Sequence, residues 1–124
     1  PSFVEDERGI CPEGWHIPSE DEWDNLPGSG SLKECTPGSC PESEYWESPD
    51  SGATNSSGFT ALPGGYAREG TFSGMGTEAN FWIEVSEGCG ASHGKRKKLY
   101  NHPGSGGSCS STPHGASVRC LKDY

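Results

Sequence analysis

Six cysteines carry the most definite chemistry in this chain: Cys11, Cys35, Cys40, Cys89, Cys109 and Cys120. Thiols can pair as disulfides, hold a metal or act as nucleophiles. An even number in a short, polar chain reads as three disulfides, and hence as an oxidising, extracytoplasmic location. Zinc would ask for a C-x2-C knuckle or a neighbouring histidine. Four residues separate Cys35 from Cys40, and no histidine lies close to them. About 15 pairings are open to six cysteines, and spacing alone does not choose among them. His93, His102 and His114 stand nine and twelve residues apart, which matches no ligand pattern, so they read as exposed loop residues. No metal and no other cofactor is expected. Serines are plentiful, but no G-x-S-x-G elbow is present, and the chain reads as a non-enzyme.

The charges exclude other roles. A net charge of -9 argues against nucleic acid, whose binding is dominated by phosphate neutralisation. The basic run Lys95-Arg96-Lys97-Lys98 is short and reads as a solvated face. Glu5-Asp6-Glu7 and Glu20-Asp21-Glu22 could gather calcium, but the second has a better use at the start of a helix.

The elements that must position these groups are short. Only 29% of the 124 residues are hydrophobic, and glycine (19) and proline (10) are abundant. Such a core is thin and calls for covalent reinforcement. The size suits one domain over 1–124. No apolar stretch approaches the ~20 residues that a membrane-spanning helix needs. No signal peptide is present and the first residue is Pro1, so the chain reads as a processed mature fragment. Ser19 with Glu22 makes a capping box, the acidic first turn suits the helix N-terminus, and Pro27-Gly28 stops the helix. Trp23 and Leu26 share its inner face. Residues 28–58, rich in Gly, Ser and Pro, read as a loop insertion that Tyr45 and Trp46 anchor and that Cys35 and Cys40 could pinch locally. Short strands are expected at Phe59–Leu62, Phe81–Val85, Leu99–Tyr100 and Ala116–Leu121. A glycine-rich excursion covers 86–115. One helix followed by short, mainly antiparallel strands with long loops gives an α+β domain.

Four segments, in order, resemble one family. Cys11-Pro12-Glu13-Gly14-Trp15-His16-Ile17-Pro18-Ser19 followed by Glu22-Trp23 is similar to "CPxGWHLPSxxEW", and Gly58–Tyr66 to "GFSALPGGY". Phe81-Trp82 stands at the usual double aromatic, and Ser117–Asp123 resembles "SVRCxKD". These are signatures of the Fibrobacter succinogenes major paralogous domain. The resemblance implies a C-type-lectin-like fold, distantly shared with the formylglycine-generating enzymes, and a secreted or surface-attached bacterial protein. Two departures stand out. The family's N-terminal Trp-containing strand segment is absent, and the Cys35/Cys40 loop is not a family feature. The enzyme relatives use a reactive cysteine pair near the C-terminus. Only Cys109 and Cys120 could match it, and Cys120 has a structural use. The "EPN", "QPD" and "WND" triplets of calcium-dependent lectins are missing.

The resemblance implies a Cys11–Cys120 bridge, since the helix entry and last strand are neighbours in lectin-like folds. Cys89–Cys109 would then close the excursion, leaving Cys35–Cys40. It also assigns Trp15, Trp23, Phe59, Tyr66 and Trp82 to the core, where large aromatics dominate. Trp46 and Tyr100 remain as surface aromatics. Two functions are expected. In the first, the 86–115 excursion presents Lys95, Arg96, Tyr100 and His102, with Trp46, to a glycan or surface protein. In the second, the chain is a subunit of an extracellular filament or surface assembly, in which a copy of itself or another chain supplies the missing strand.

Overall fold

The computed structural model describes residues 10–48, 52–84, 93–102, 105–111 and 114–123. Glu5–Glu7, Val85 and Cys89 lie outside the described residues. Helices are few and short, and all strand pairs are antiparallel. The order is β1 (Trp15–His16), α1 (Glu20–Asp24), α2 (Ser29–Leu32), β2 (Tyr66–Arg68), β3 (Thr71–Ser73), β4 (Glu78–Ile83), β5 (His93–Tyr100), β6 (Ser105–Ser111), β7 (His114–Gly115) and β8 (Leu121–Lys122). They form a β1-β8 ribbon, a β3-β2-β7 sheet and a β4-β5-β6 sheet.

Helix α1 starts where the capping signature places it. The Glu22 amide donates to Ser19 Oγ at 3.2 Å, and the Ser19 amide donates to Glu22 Oε1 at 3.0 Å. So short a helix is not stable alone, and Trp23, buried on its inner face, ties it down. Residues 28–58 are not wholly loop, because Gly28 starts α2, which buries Leu32. Gly30 has to be glycine, since a Cβ there would sit 2.1 Å from the Gly52 carbonyl oxygen. That oxygen's segment is tied back by Thr54, whose amide donates to Gly30 O.

Phe59–Leu62 is not a strand. Thr60 takes φ +56°, held there by a reciprocal pair of bonds with the Asn55 side chain, and a left-handed residue breaks an extended run. Only Ala61 bridges, to Lys33. The 86–115 excursion is also corrected, because β5 and β6 are the middle and outer strands of the largest sheet. In 116–121 only Ser117 bridges to the sheet, along β4, before β8 begins.

Strand β4 explains the core. Its residues Ala79–Ile83 are all buried. Ala79, Phe81 and Ile83 share one face and pack with Trp23, Leu32, Trp46, Ala61 and Leu99. Trp23, Phe59 and Phe81 form an aromatic triangle with centroids 5.4–6.0 Å apart. Trp82 lies buried on the other face. Trp15 is 44% exposed, against expectation: among the described residues its two-residue strand has only β8 as partner.

The β1-β8 ribbon is stapled by Cys11–Cys120, with Cα atoms 5.8 Å apart. Cys35 is bonded to Cys40. Cys109 is also disulfide-bonded. Beside the first staple, His16 Nδ1 lies 2.6 Å from Asp123 Oδ1, while Nε2 lies 2.9 Å from Glu22 Oε1. The Asp123 bond, then the Glu22 bond, raise the His16 pKa above 6.5, outweighing desolvation. A raised folded pKa stabilises the protein fully below 6.5, and the stability is lost as pH rises through the folded value. Thermal midpoints of the wild type should therefore fall between about pH 6 and pH 8.5 by more than those of His16→Ala. Equal falls in both proteins would show that the clasp contributes nothing.

Candidate functional site

The basic run is a strand with period two, and its charges divide between the two faces of the sheet. Lys95 and Lys97, opposite Ile83 and Phe81, point toward α1. Glu20 lies 2.5 Å from Lys95 Nζ and 3.0 Å from Lys97 Nζ, and Asp24 lies 3.3 Å from Lys97 Nζ. Lys95 and then Lys97 bring the Glu20 pKa down to about 2. Burial alone would lower the Lys97 pKa, but the bonds to Glu20 and Asp24 outweigh it and leave the value raised. The acidic first turn thus caps the helix and clamps the sheet. On the other face, Arg96 is buried with its guanidinium 5.1 Å from the Tyr66 ring centroid. Lys98 Nζ stands 5.9 Å from the same centroid.

Between the α1–α2 turn and the strand pair β5-β6 lies a cleft of about 430 Å³. Its floor is Gly106 and Gly107 of β6, with Lys97 lying across the latter: a Cβ on Gly107 would be 3.4 Å from Lys97 Cδ. Asp24, Pro27, Ser29 and Ser105 form the rim, and Trp23, Leu32 and Leu99 close the base. The cleft therefore offers a carboxylate, an ammonium and hydroxyls beside two glycines, one of them overlain by the Lys97 stem. Such groups can hydrogen-bond hydroxyl or amide groups.

The residues expected to bind ligand do not assemble into one site. Lys95 is engaged by Glu20, and Arg96 is buried on the opposite face, so the basic run is not the solvated face its charges suggest. Trp46 is 3% exposed and donates its ring N–H to Ala61 O at 3.0 Å, which removes it from the surface. Tyr45 beside it is exposed instead. Tyr100 and His102 do meet, stacked with centroids 4.9 Å apart and planes 6° from parallel. They sit beyond the cleft, since Tyr100 shares the Arg96 face. His93 and His114 stand on separate strands, β5 and β7. Among the described residues no group of three or more His, Cys, Asp or Glu could hold a metal ion.

The four sequence segments converge on these elements: Cys11–Trp23 supplies β1 and α1, Gly58–Tyr66 the Ala61 and Gly65 bridges and the start of β2, Phe81-Trp82 the centre of β4, and Ser117–Asp123 the strip beside β4 and the ribbon partner of β1. A family model, the Fibrobacter succinogenes major domain, matches residues 2–122. The chain belongs to that family. Neither a curated protein nor a solved structure matches the chain. Among the described residues, no helix of this Fibrobacter major domain is long and apolar enough to cross a membrane. Its cleft was missed in the sequence. Asp24, Ser29, Gly106 and Gly107 are far apart in the chain, and the one available signal was a glycine pair set among the serines of Ser105–Ser111.

Proposed function

We propose that this chain is a non-enzymatic module of a bacterial cell surface, with a C-type-lectin-like arrangement, that binds glycan through the cleft between the α1–α2 turn and β5-β6. The observation that carries the reading is the cleft itself. It sets Asp24, Lys97, Ser29 and Ser105 around a glycine floor. A sugar's hydroxyls can both donate to a carboxylate and accept from an ammonium, and the glycine pair leaves room for a ring. The cleft is pre-formed, because Glu20 and Asp24 fix Lys97 before any ligand arrives. Rigid placement lowers the entropic cost of binding. Disulfide stapling of so polar a chain supports an extracellular setting.

A glycan array probed with the purified chain should give binders that Asp24→Ala weakens about tenfold or more, the typical loss of one charge-assisted hydrogen bond. His102→Ala, outside the cleft, should leave the same binders unchanged. If the array stays blank, or Asp24→Ala has no effect on the binders it yields, the reading is wrong.

A further inference from the structure

The largest sheet ends differently on its two sides. Along β4 the edge is closed: Trp82 N–H donates to Ser117 O at 3.0 Å, and Ser117 N–H donates to Asn80 O at 2.9 Å. Along β6 no described residue pairs with the outer edge, since β6 is terminal in the order β4-β5-β6. Bare edges are usually protected by lysine, proline or a bulge. The seven residues of β6, Ser105–Ser111, read SGGSCSS and carry no charge and no proline. Their register against β5 runs without interruption from Ser105↔Leu99 to Ser111↔His93. This edge carries none of those protections.

We propose that β6 is an interface between two copies of this chain, paired antiparallel about Ser108. The strand is nearly self-complementary. Around that centre Ser105 falls opposite Ser111 of the second copy, Gly106 opposite its Ser110, and Gly107 opposite its Cys109. No like charges meet, although the whole chain carries -9, and the disulfide-bonded Cys109 falls opposite a glycine. The glycines already accommodate side chains from β5. A Cβ at Gly106 would lie 3.1 Å from the Tyr100 hydroxyl, so Tyr100 covers one face there and Lys97 covers the other at Gly107. The strand is thus stiffened from behind, while no described strand pairs with its outer edge. An extended segment of another protein could use the same backbone groups, but nothing on this edge would select it, whereas the copy's own β6 matches in length and composition.

The pairing joins two sheets into one of six strands and relates the copies by a two-fold axis, an isologous contact. Both α1–α2 turns then lie on the same side, so the two clefts face the same way. Seven residues with small side chains bury less than the ~1,000 Å² of a stable interface. Association is therefore weak and becomes appreciable only where copies are crowded, as on a surface. This goes beyond the glycan reading and does not depend on it.

Sedimentation equilibrium of the full chain, from micromolar to millimolar, should give a concentration-dependent monomer–dimer equilibrium. In Ser105→Lys with Ser111→Lys, like charges fall opposite at two places, and association should weaken about tenfold. In Ser105→Lys with Ser111→Glu, the same places bring opposite charges together, and association should return to or exceed that of the wild type. The two double variants impose similar steric demands, so a folding defect would affect both. A wild type that stays monomeric at millimolar concentration overturns the proposal. So do two double variants that associate equally, or slowed amide exchange along β6 that appears only when a different extracellular protein is added.

Discussion

Serine in place of Cys11 or of Cys120 should leave the protein unfolded at physiological temperature. The bridge closes a loop with a sequence separation of 109 residues, and the chain-entropy account gives roughly 4.7 kcal/mol for a loop near that length. Removing a native bridge from a small secreted domain costs about 2–5 kcal/mol in practice. Total stabilities of about 5–15 kcal/mol leave little after such a loss, and here the hydrophobic share is only 29%. Locally, the bridge holds two-residue strands, Trp15–His16 against Leu121–Lys122, which have no other sheet partner among the described residues. The two single variants and their double should melt alike, because each removes the same bond. Cys35→Ser should melt within a few degrees of the wild type, its loop having a separation of only 5. Circular dichroism on heating measures all four. A folded Cys120→Ser protein with a midpoint near that of the wild type would refute this account of stability.

Trp46→Ala should be nearly as damaging, at about 3–5 kcal/mol, the usual cost of truncating a buried large aromatic. Had Trp46 been a surface contact, the same change would cost under about 0.5 kcal/mol. The indole belongs to the core cluster, its N–H satisfies Ala61 O, and the ammonium of the fully buried Lys33 lies 5.5 Å from its centroid. Lys33 in turn donates to Tyr100 O at 2.9 Å, linking the end of α2 to the end of β5. Trp46→Phe should recover most of the packing and lose the hydrogen bond, so it should fall between the two. Chemical denaturation of the three proteins ranks them, and a Trp46→Ala midpoint equal to that of the wild type would return Trp46 to the surface.

What the sequence disclosed was local or inherited from the family pattern. Ser19 and Glu22 lie three residues apart, and the capping box needs nothing beyond those three, so α1 could be read directly. The same holds for Phe81-Trp82, whose aromatic and β-branched neighbours ask for a strand. The Cys11–Cys120 bridge was reached only through the family resemblance, since the cysteine spacings leave every pairing open. What stayed hidden was long-range. Lys95 and Lys97 look solvated until Glu20 and Asp24, more than seventy residues earlier, fold over them. Trp46 looks like a loop anchor because glycine, serine and proline surround it, yet the core reaches it through Ala61. Apart from Leu99–Tyr100 at the end of β5, strands β5 and β6 read as a loop because charge and glycine suppress the apolar alternation that marks a strand. The cleft inherits that blindness, as one wall is a helix turn and another is the glycine pair of a polar strand.

The covalent link at residues 11 and 120 also decides how this protein would carry a mechanical load. Tension applied to the chain on either side of the bridge enters at Cys11 and leaves at Cys120, across Cα atoms 5.8 Å apart. None of the three sheets lies on that path. Hydrogen-bonded strands are what give way when a domain is stretched, and here the sulfur bond bypasses them. In an oxidising medium the module acts as a short, inextensible shackle whose cleft keeps its shape under pull. A thiol reductant would convert the same shackle into a tether able to pay out on the order of 370 Å of extended chain.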